Sequence, residues 1–203
     1  STRTRISFAT AAARLGADQM NLQAESSSAK KGESLLDTVR TLDAMKPDCI
    51  VIRHNSSGAP DFVARHLSLP VINAGDGTHE HPTQALLDAL TIRDRRGTLE
   101  GLRVAIIGDV LHSRVARSNL HLLGKFGCHL TLCGPAMWVP REFECLGASV
   151  KRTSRIEEAL DGADVVIMLR VQQERLHEPA LPLDEYILLY QLTPERLRRA
   201  RPD

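Results

Sequence analysis

The sequence predicts an α/β fold of two lobes, each a parallel sheet flanked by helices, and three observations lead there. Apolar periodicity switches repeatedly between short β-like runs and longer helical stretches. Strand and helix alternate along the chain, which within one sheet means parallel strands joined by right-handed crossovers. The alternation then restarts after "TLEG", so two such series meet near residues 83–100. The expected domains are residues 1–96 and 97–203.

The elements follow in order. An opening helix covers about 3–16, and "DQMNLQA" reads as a short strand. In "GESLLDTVRTLDAM", Leu35, Leu36, Val39, Leu42 and Met45 share one helical face. "DCIVIR" is a buried strand ending at Arg53, and "APDFVARHL" is a helix with Pro60 in its first turn. "PVINAG" is a strand, and the helix of "HPTQALLDALTIRDRRG" closes at Gly97. The second series has "RVAIIGD" as a strand, "SRVARSNLHLLGKFG" as a helix and "HLTLCGP" as a strand. "ASVKR" is a short strand, "IEEALDGA" a short helix, "DVVIMLR" a strand, and the tail "TPERLRRARPD" a short helix.

Composition narrows the function classes. The formal net charge is +1 and aromatic residues make up 3%. A broad nucleic-acid binder needs a basic surface, and a base-stacking platform needs aromatic rings. Neither is present, so no nucleic-acid partner is expected. No apolar run reaches the roughly eighteen residues that a membrane span needs, so no membrane association is expected and a cytoplasmic location is the default. Cys49, Cys128, Cys133 and Cys145 form no C-x-x-C pair and read as four buried thiols of a reducing compartment. Cys128 and Cys133 are an odd number of residues apart, which on a strand puts them on opposite faces. No metal site is expected, because no His or carboxylate partner stands at ligand spacing on a helix.

In open parallel sheets, ligands bind beyond the carboxyl ends of the strands. Five segments at such ends are rich in Arg, Lys, His, Ser or Thr: 26–31, 53–54, 75–81, 109–114 and 170–175. Together they point to an anionic ligand between the lobes. Ser1, Thr2, Arg3 and Thr4 open a helix whose free N–H groups and dipole already favour an anion. An N-cap would account for one hydroxyl there, not for three with an arginine. Arg53 ends a strand and reads as a second clamp, while His54 reads as packing or surface.

In "HEHPTQALLDAL", Pro82 sets the helix entry, leaving the His81 imidazole free at its edge with Gln84 on the same face. A neutral His can donate to a developing oxyanion, and a Gln amide can read an amino group. A cap and a surface residue is the plainer reading of the same pair. "GDVLHSRVARSN" lacks the G-x-G-x-x-G spacing of a dinucleotide turn, so no nucleotide cofactor is expected. Arg114 at a helix start suits a carboxylate or phosphate, whereas Arg117 could equally be a solvated charge. Arg170 and Gln172 point the same way in an extended segment and can grip one carboxylate. "ESSSAKKGES" reads as a surface loop able to deliver Lys31 as a lid.

Taken in order, "STRTR", "KKGES", "HPTQALLDALT", "GD…HSRVARSN" and "RVQQERL" resemble the aspartate carbamoyltransferase family across essentially all 203 residues. The resemblance implies the aspartate/ornithine carbamoyltransferase fold, with 1–96 a carbamoyl-phosphate-binding and 97–203 an aspartate-binding domain. It implies transfer of a carbamoyl group from carbamoyl phosphate to L-aspartate in de novo pyrimidine biosynthesis, with no cofactor. Ser1, Thr2, Arg3, Thr4 and Arg53 would hold the phosphate. Thr4, Arg53 and His81 would polarise the carbamoyl oxygen, and Gln84 would take its amino group. Arg114, Arg170 and Gln172 would bind aspartate, while Ser27 (to carbamoyl phosphate) and Lys31 (to aspartate) would reach in from a neighbouring subunit of a homotrimer. Regulatory or dihydroorotase chains could attach to that trimer. Thr83 and "RVQQER" favour aspartate over ornithine, the substrate of the related ornithine carbamoyltransferases. A non-catalytic relative would be expected to lose the charged residues retained here. The family pattern also has a helix and strand before "STRTR" and a His-Pro-rich turn and long helix after residue 203. The 203 residues by themselves are therefore expected to be weakly stable and poorly active.

Overall fold

A computed structural model describes residues 2–22, 34–147, 149–171 and 181–202. These residues form two compact units, the first comprising Ser1–Ile52 and Ala59–Ala74, the second Arg53–Gly58 and Gly75–Asp203.

The first unit holds helices α1 (Thr2–Arg14), α2 (Leu35–Asp43) and α3 (Ala59–Ala64), and most of strands β1 (Ile50–His54) and β2 (Val71–Asp76). β1 and β2 pair with each other. Helix α2 starts at a reciprocal cap: the Ser34 hydroxyl accepts from the Asp37 N–H while the Asp37 carboxylate accepts from Ser34. Its apolar stripe places Val39 in a small core with Ile52 and Val63, against which Leu35, Leu36, Ile50, Leu67 and Val71 pack. The expected strand over "DQMNLQA" is not formed in its described part. Residues 18–22 lack regular structure, and Met20 and Leu22 are exposed. With neither apolar residue buried, nothing offsets the entropy of an extended run.

The second unit is built on four parallel strands in the order β5-β4-β3-β6. These are β3 (Arg103–Ile107), β4 (His129–Cys133), β5 (Val150–Thr153) and β6 (Val165–Met168). Side chains alternate across the sheet. Val104, Ile106, Leu130 and Leu132 face one core, shared with residues of helices α4 (Pro82–Arg96) and α5 (Arg114–Lys125). Ala105, Ile107 and Cys133 face the other, shared with α6 (Ile156–Leu160) and with Tyr190 of α7 (Leu183–Tyr190). A last short helix, α8 (Pro194–Leu197), begins at a Thr193 cap. Cys128 belongs to the first core and Cys133 to the second, on opposite faces as the spacing predicts. Cys49 and Cys145 are exposed, a departure from the expectation of four buried thiols. Cys49 precedes β1, and Cys145 lies in a 3-10 turn over Arg141–Leu146, so neither sits on a core-facing strand position.

β3 lies at the centre of this sheet. The chain leaves it for β4 and β5 on one side and returns to β6 on the other. The carboxyl end of β3 is therefore a topological switch point, where Gly108–Ser113 meets the end of β6. Helix α7 and the 3-10 turns over Ala136–Trp138 and Arg141–Leu146 have no counterpart in the periodicity reading.

Candidate functional site

Within the second unit, polar groups gather where β1 and β2 end and where α4 and α5 begin. The last two residues of β2, Gly75 and Asp76, are buried. The fully buried Asp76 carboxylate accepts the Gly58 N–H at 2.5 Å and the Glu80 N–H at 3.0 Å. The His79 Nδ1 lies 3.0 Å from the same carboxylate. The backbone closes the turn with Asp76 N–H to Glu80 C=O (3.0 Å) and Gly77 N–H to His54 C=O (3.0 Å). The His54 ring accepts the Ser56 N–H at 2.9 Å, so it braces its own loop.

His81 caps α4 without a side-chain cap bond, and Pro82 follows as the first helical residue. Its backbone N–H donates to the Ser118 hydroxyl at 2.8 Å. Its Nδ1 is buried, with no hydrogen-bond partner among the described residues. Burial, then the Arg114 and Arg53 guanidinium groups, push its pKa from 6.5 down to about 4. The imidazole is neutral at physiological pH, the state in which it can donate one hydrogen bond and accept another.

Arg114 opens α5 behind a Ser113 cap and donates to the Gly77 carbonyl at 3.2 Å. It shares with His81 the space over Gly75, whose φ of +110° suits only glycine. A Cβ there would meet Arg114 Cζ at 3.0 Å and His81 Cδ2 at 3.1 Å. Arg53 and Arg114 thus place two cations around the neutral His81 ring, suited to holding an anion and polarising a carbonyl beside it. Gln84 lies one turn along α4, where its amide donates to Asp88 at 2.9 Å. Arg170 is exposed two residues beyond β6, at the same sheet end as Gly108 and Arg114.

Thr2, Arg3 and Thr4 form the first turn of α1 in the first unit, a turn without an acidic residue. Ser1, Ser27, Lys31 and Gln172 lie outside the described residues. Arg117 donates to the Leu111 carbonyl at 2.9 Å and stacks over Phe143, so it is a structural arginine and not a solvated charge. Two groups escaped the sequence reading. Asp76 ties two loops, and Glu80 accepts from the Ser118 hydroxyl while standing 3.5 Å from His121. The spacing of Ser118 and His121 on one helix face was the one available signal. Among the described residues no cluster of His, Cys, Asp and Glu side chains has a metal-site arrangement, and no helix is long and apolar enough to cross a membrane.

Two family models match the chain: "Aspartate/ornithine carbamoyltransferase, carbamoyl-P binding domain" over residues 1–94 and "Aspartate/ornithine carbamoyltransferase, Asp/Orn binding domain" over 100–203. The aspartate carbamoyltransferase catalytic subunit of Solibacter usitatus is 60% identical over 203 residues, covering 100% of this chain and 67% of the relative. That of Syntrophotalea carbinolica is 56% identical over 204 residues, covering 100% of this chain and 64% of the relative. The chain thus spans about two thirds of the length of these curated relatives. Among solved structures, Trypanosoma cruzi aspartate transcarbamoylase in complex with carbamoyl aspartate and phosphate superposes with a TM-score of 0.88. It is 35% identical, with 100% of this chain and 66% of that chain covered. The same enzyme with carbamoyl phosphate and aspartate gives 0.86 at 35% identity, covering 99% and 67%.

Proposed function

The chain belongs to the aspartate/ornithine carbamoyltransferase family, and we propose that it transfers the carbamoyl group of carbamoyl phosphate to L-aspartate. The products are N-carbamoyl-L-aspartate and phosphate. The observation that carries this reading is the half-buried, neutral His81 ring, its Nδ1 out of solvent, set among Arg53, Arg114 and Gly75. The catalytic subunits that share 56 to 60% of its sequence support aspartate as the acceptor.

In the reaction the aspartate amine attacks the carbamoyl carbon and a C–N bond forms. Negative charge builds on the carbamoyl oxygen, and the C–O bond to phosphate then breaks with its electron pair leaving on phosphate. The departing phosphate takes the proton that the amine loses. Thr4, Arg53 and a neutral His81 donate to the developing oxyanion, a contribution of about 3 kcal/mol for one well-placed donor. Gln84 accepts from the carbamoyl amino group. Ser1, Thr2, Arg3, Thr4 and Arg53 hold the phosphate, and Arg114, Arg170 and Gln172 hold the aspartate carboxylates. Fixing two anions side by side removes much of the entropic barrier to their meeting.

In this proposal residues 1–96 belong to the carbamoyl-phosphate-binding domain and 97–203 to the aspartate-binding domain. The assembly is a cytoplasmic homotrimer in which a neighbouring subunit supplies Ser27 to carbamoyl phosphate and Lys31 to aspartate, and the pathway is pyrimidine biosynthesis. The test is phosphate release by the full-length protein from carbamoyl phosphate with either aspartate or ornithine as acceptor. Turnover with aspartate is expected. Turnover with ornithine alone would overturn the substrate assignment.

A further inference from the structure

We propose that Asp76 is a positioning residue for carbamoyl transfer: its buried carboxylate ties the loop that follows Arg53 at the end of β1 to the loop that leads into His81. The inference rests on the carbamoyl-transfer reading above. A carboxylate with no exposed surface is costly unless fixed donors surround it. Here the donors come from two separate loops. Gly58 N–H reaches Oδ2 from the segment that begins at Arg53, and Glu80 N–H reaches Oδ1 from the residue before His81. The His79 ring approaches Oδ2 from the second loop as well. Gly77 N–H to His54 C=O and Thr78 N–H to Ser57 Oγ lace the same two segments beside it.

The donor pattern explains why the residue is aspartate and not asparagine. Each carboxylate oxygen receives a backbone N–H, so both positions must be acceptors. Turned either way, an asparagine amide would point its NH2 at one of those N–H groups and leave it unsatisfied. The two loops would then separate, and the oxyanion donors at their ends, Arg53 and His81, would lose their fixed spacing. The charge of Asp76 acts on His81 in the opposite sense from its geometry. As a nearby anion it favours the protonated ring against Arg53, Arg114 and burial, which favour the neutral one. Removing the charge alone would lower the His81 pKa further. Letting the ring swing towards water would raise it.

Those opposed directions make the experiment decisive. Asp76→Asn should lower kcat by about 10²-fold, the cost of misplacing a reacting group by about 1 Å. The KM for aspartate should stay within about threefold of wild type. By NMR of labelled histidine, the His81 titration should rise from about 4 towards 6.5. Asp61→Asn, at an exposed ion pair on α3, is the control and should change neither quantity. A kcat within about twofold of wild type, or a lost kcat with His81 titrating at or below its wild-type value, overturns the proposal. If Asp76→Asn does not fold, His79→Ala removes the half-exposed third contact and decides the matter. A kcat lowered by about three- to tenfold with a raised His81 pKa supports the tie, and no change in either overturns it. Absence of turnover by the full-length wild-type protein would instead refute carbamoyl transfer itself, while the NMR titration would still report where the ring lies.

Discussion

Arg114 and His81 converge on the bare α-carbon of Gly75, each within about 3 Å of the place a methyl group would occupy. Gly75→Ala should therefore displace both at once and strain a backbone held at φ +110°. The expected outcome is a loss of about 10²-fold in kcat. Steady-state kinetics at near-wild-type thermal stability is the measurement, and an unchanged kcat would mean that the two groups need not be close.

The His81 imidazole should stay neutral through the physiological range. Its folded pKa of about 4 lies below the ordinary 6.5, so the unfolded chain binds the proton more readily. The stability associated with the neutral ring is complete above 6.5 and is lost as pH falls from 6.5 to about 4. Denaturant unfolding from pH 7 to 4, compared between wild type and His81→Ala, should show this slope only in the wild type. The same variant should lose about 10²- to 10³-fold in kcat, as for removal of one oxyanion donor.

Arg170→Ala should raise the KM for aspartate by at least about tenfold, the loss of one charge-assisted contact of about 1.5 kcal/mol. The KM for carbamoyl phosphate should move far less. Equal shifts in both would remove Arg170 from the aspartate subsite.

The four thiols should divide into two pairs. Burial raises the Cys133 pKa to about 12 and raises that of Cys128, and both lie inside sheet-face cores. Iodoacetamide on the folded protein at pH 8 should label Cys49 and Cys145 and spare the other two, with mass spectrometry as the readout. Modification of Cys133 at the rate of Cys145 would contradict the packing described.

The alternation of strands and helices was legible because each strand of the second unit is a short apolar run beside a glycine or helix signal. His81 was legible for a similar reason: a histidine before Pro82 at a helix start has few other places to point. "DQMNLQA" misled because its two apolar residues match a strand's spacing, while strand formation depends on a neighbour that spacing does not reveal. Asp76 was hidden for the opposite reason. One aspartate after a strand looks like ordinary turn chemistry, and only the fold brings Gly58, 18 residues earlier in the chain, onto its oxygen. Arg117 looked like a possible anion ligand until its partners, Leu111 and Phe143, came from the loops around it.

Helix α4 is fastened at its far end as well as at His81. Arg96 donates to the Asp164 carbonyl at 2.6 and 3.2 Å and to the Pro202 carbonyl at 3.2 Å. Asp164 in turn accepts from the Arg103 N–H and pairs with Arg201. The helix is a strut of about 22 Å, braced to the strand scaffold at one end while presenting the imidazole at the other. Mounted at the tip of so stiff a beam, the ring can shift only with the turn that Asp76 holds, so adjustment to an arriving substrate must come from that turn and its neighbours.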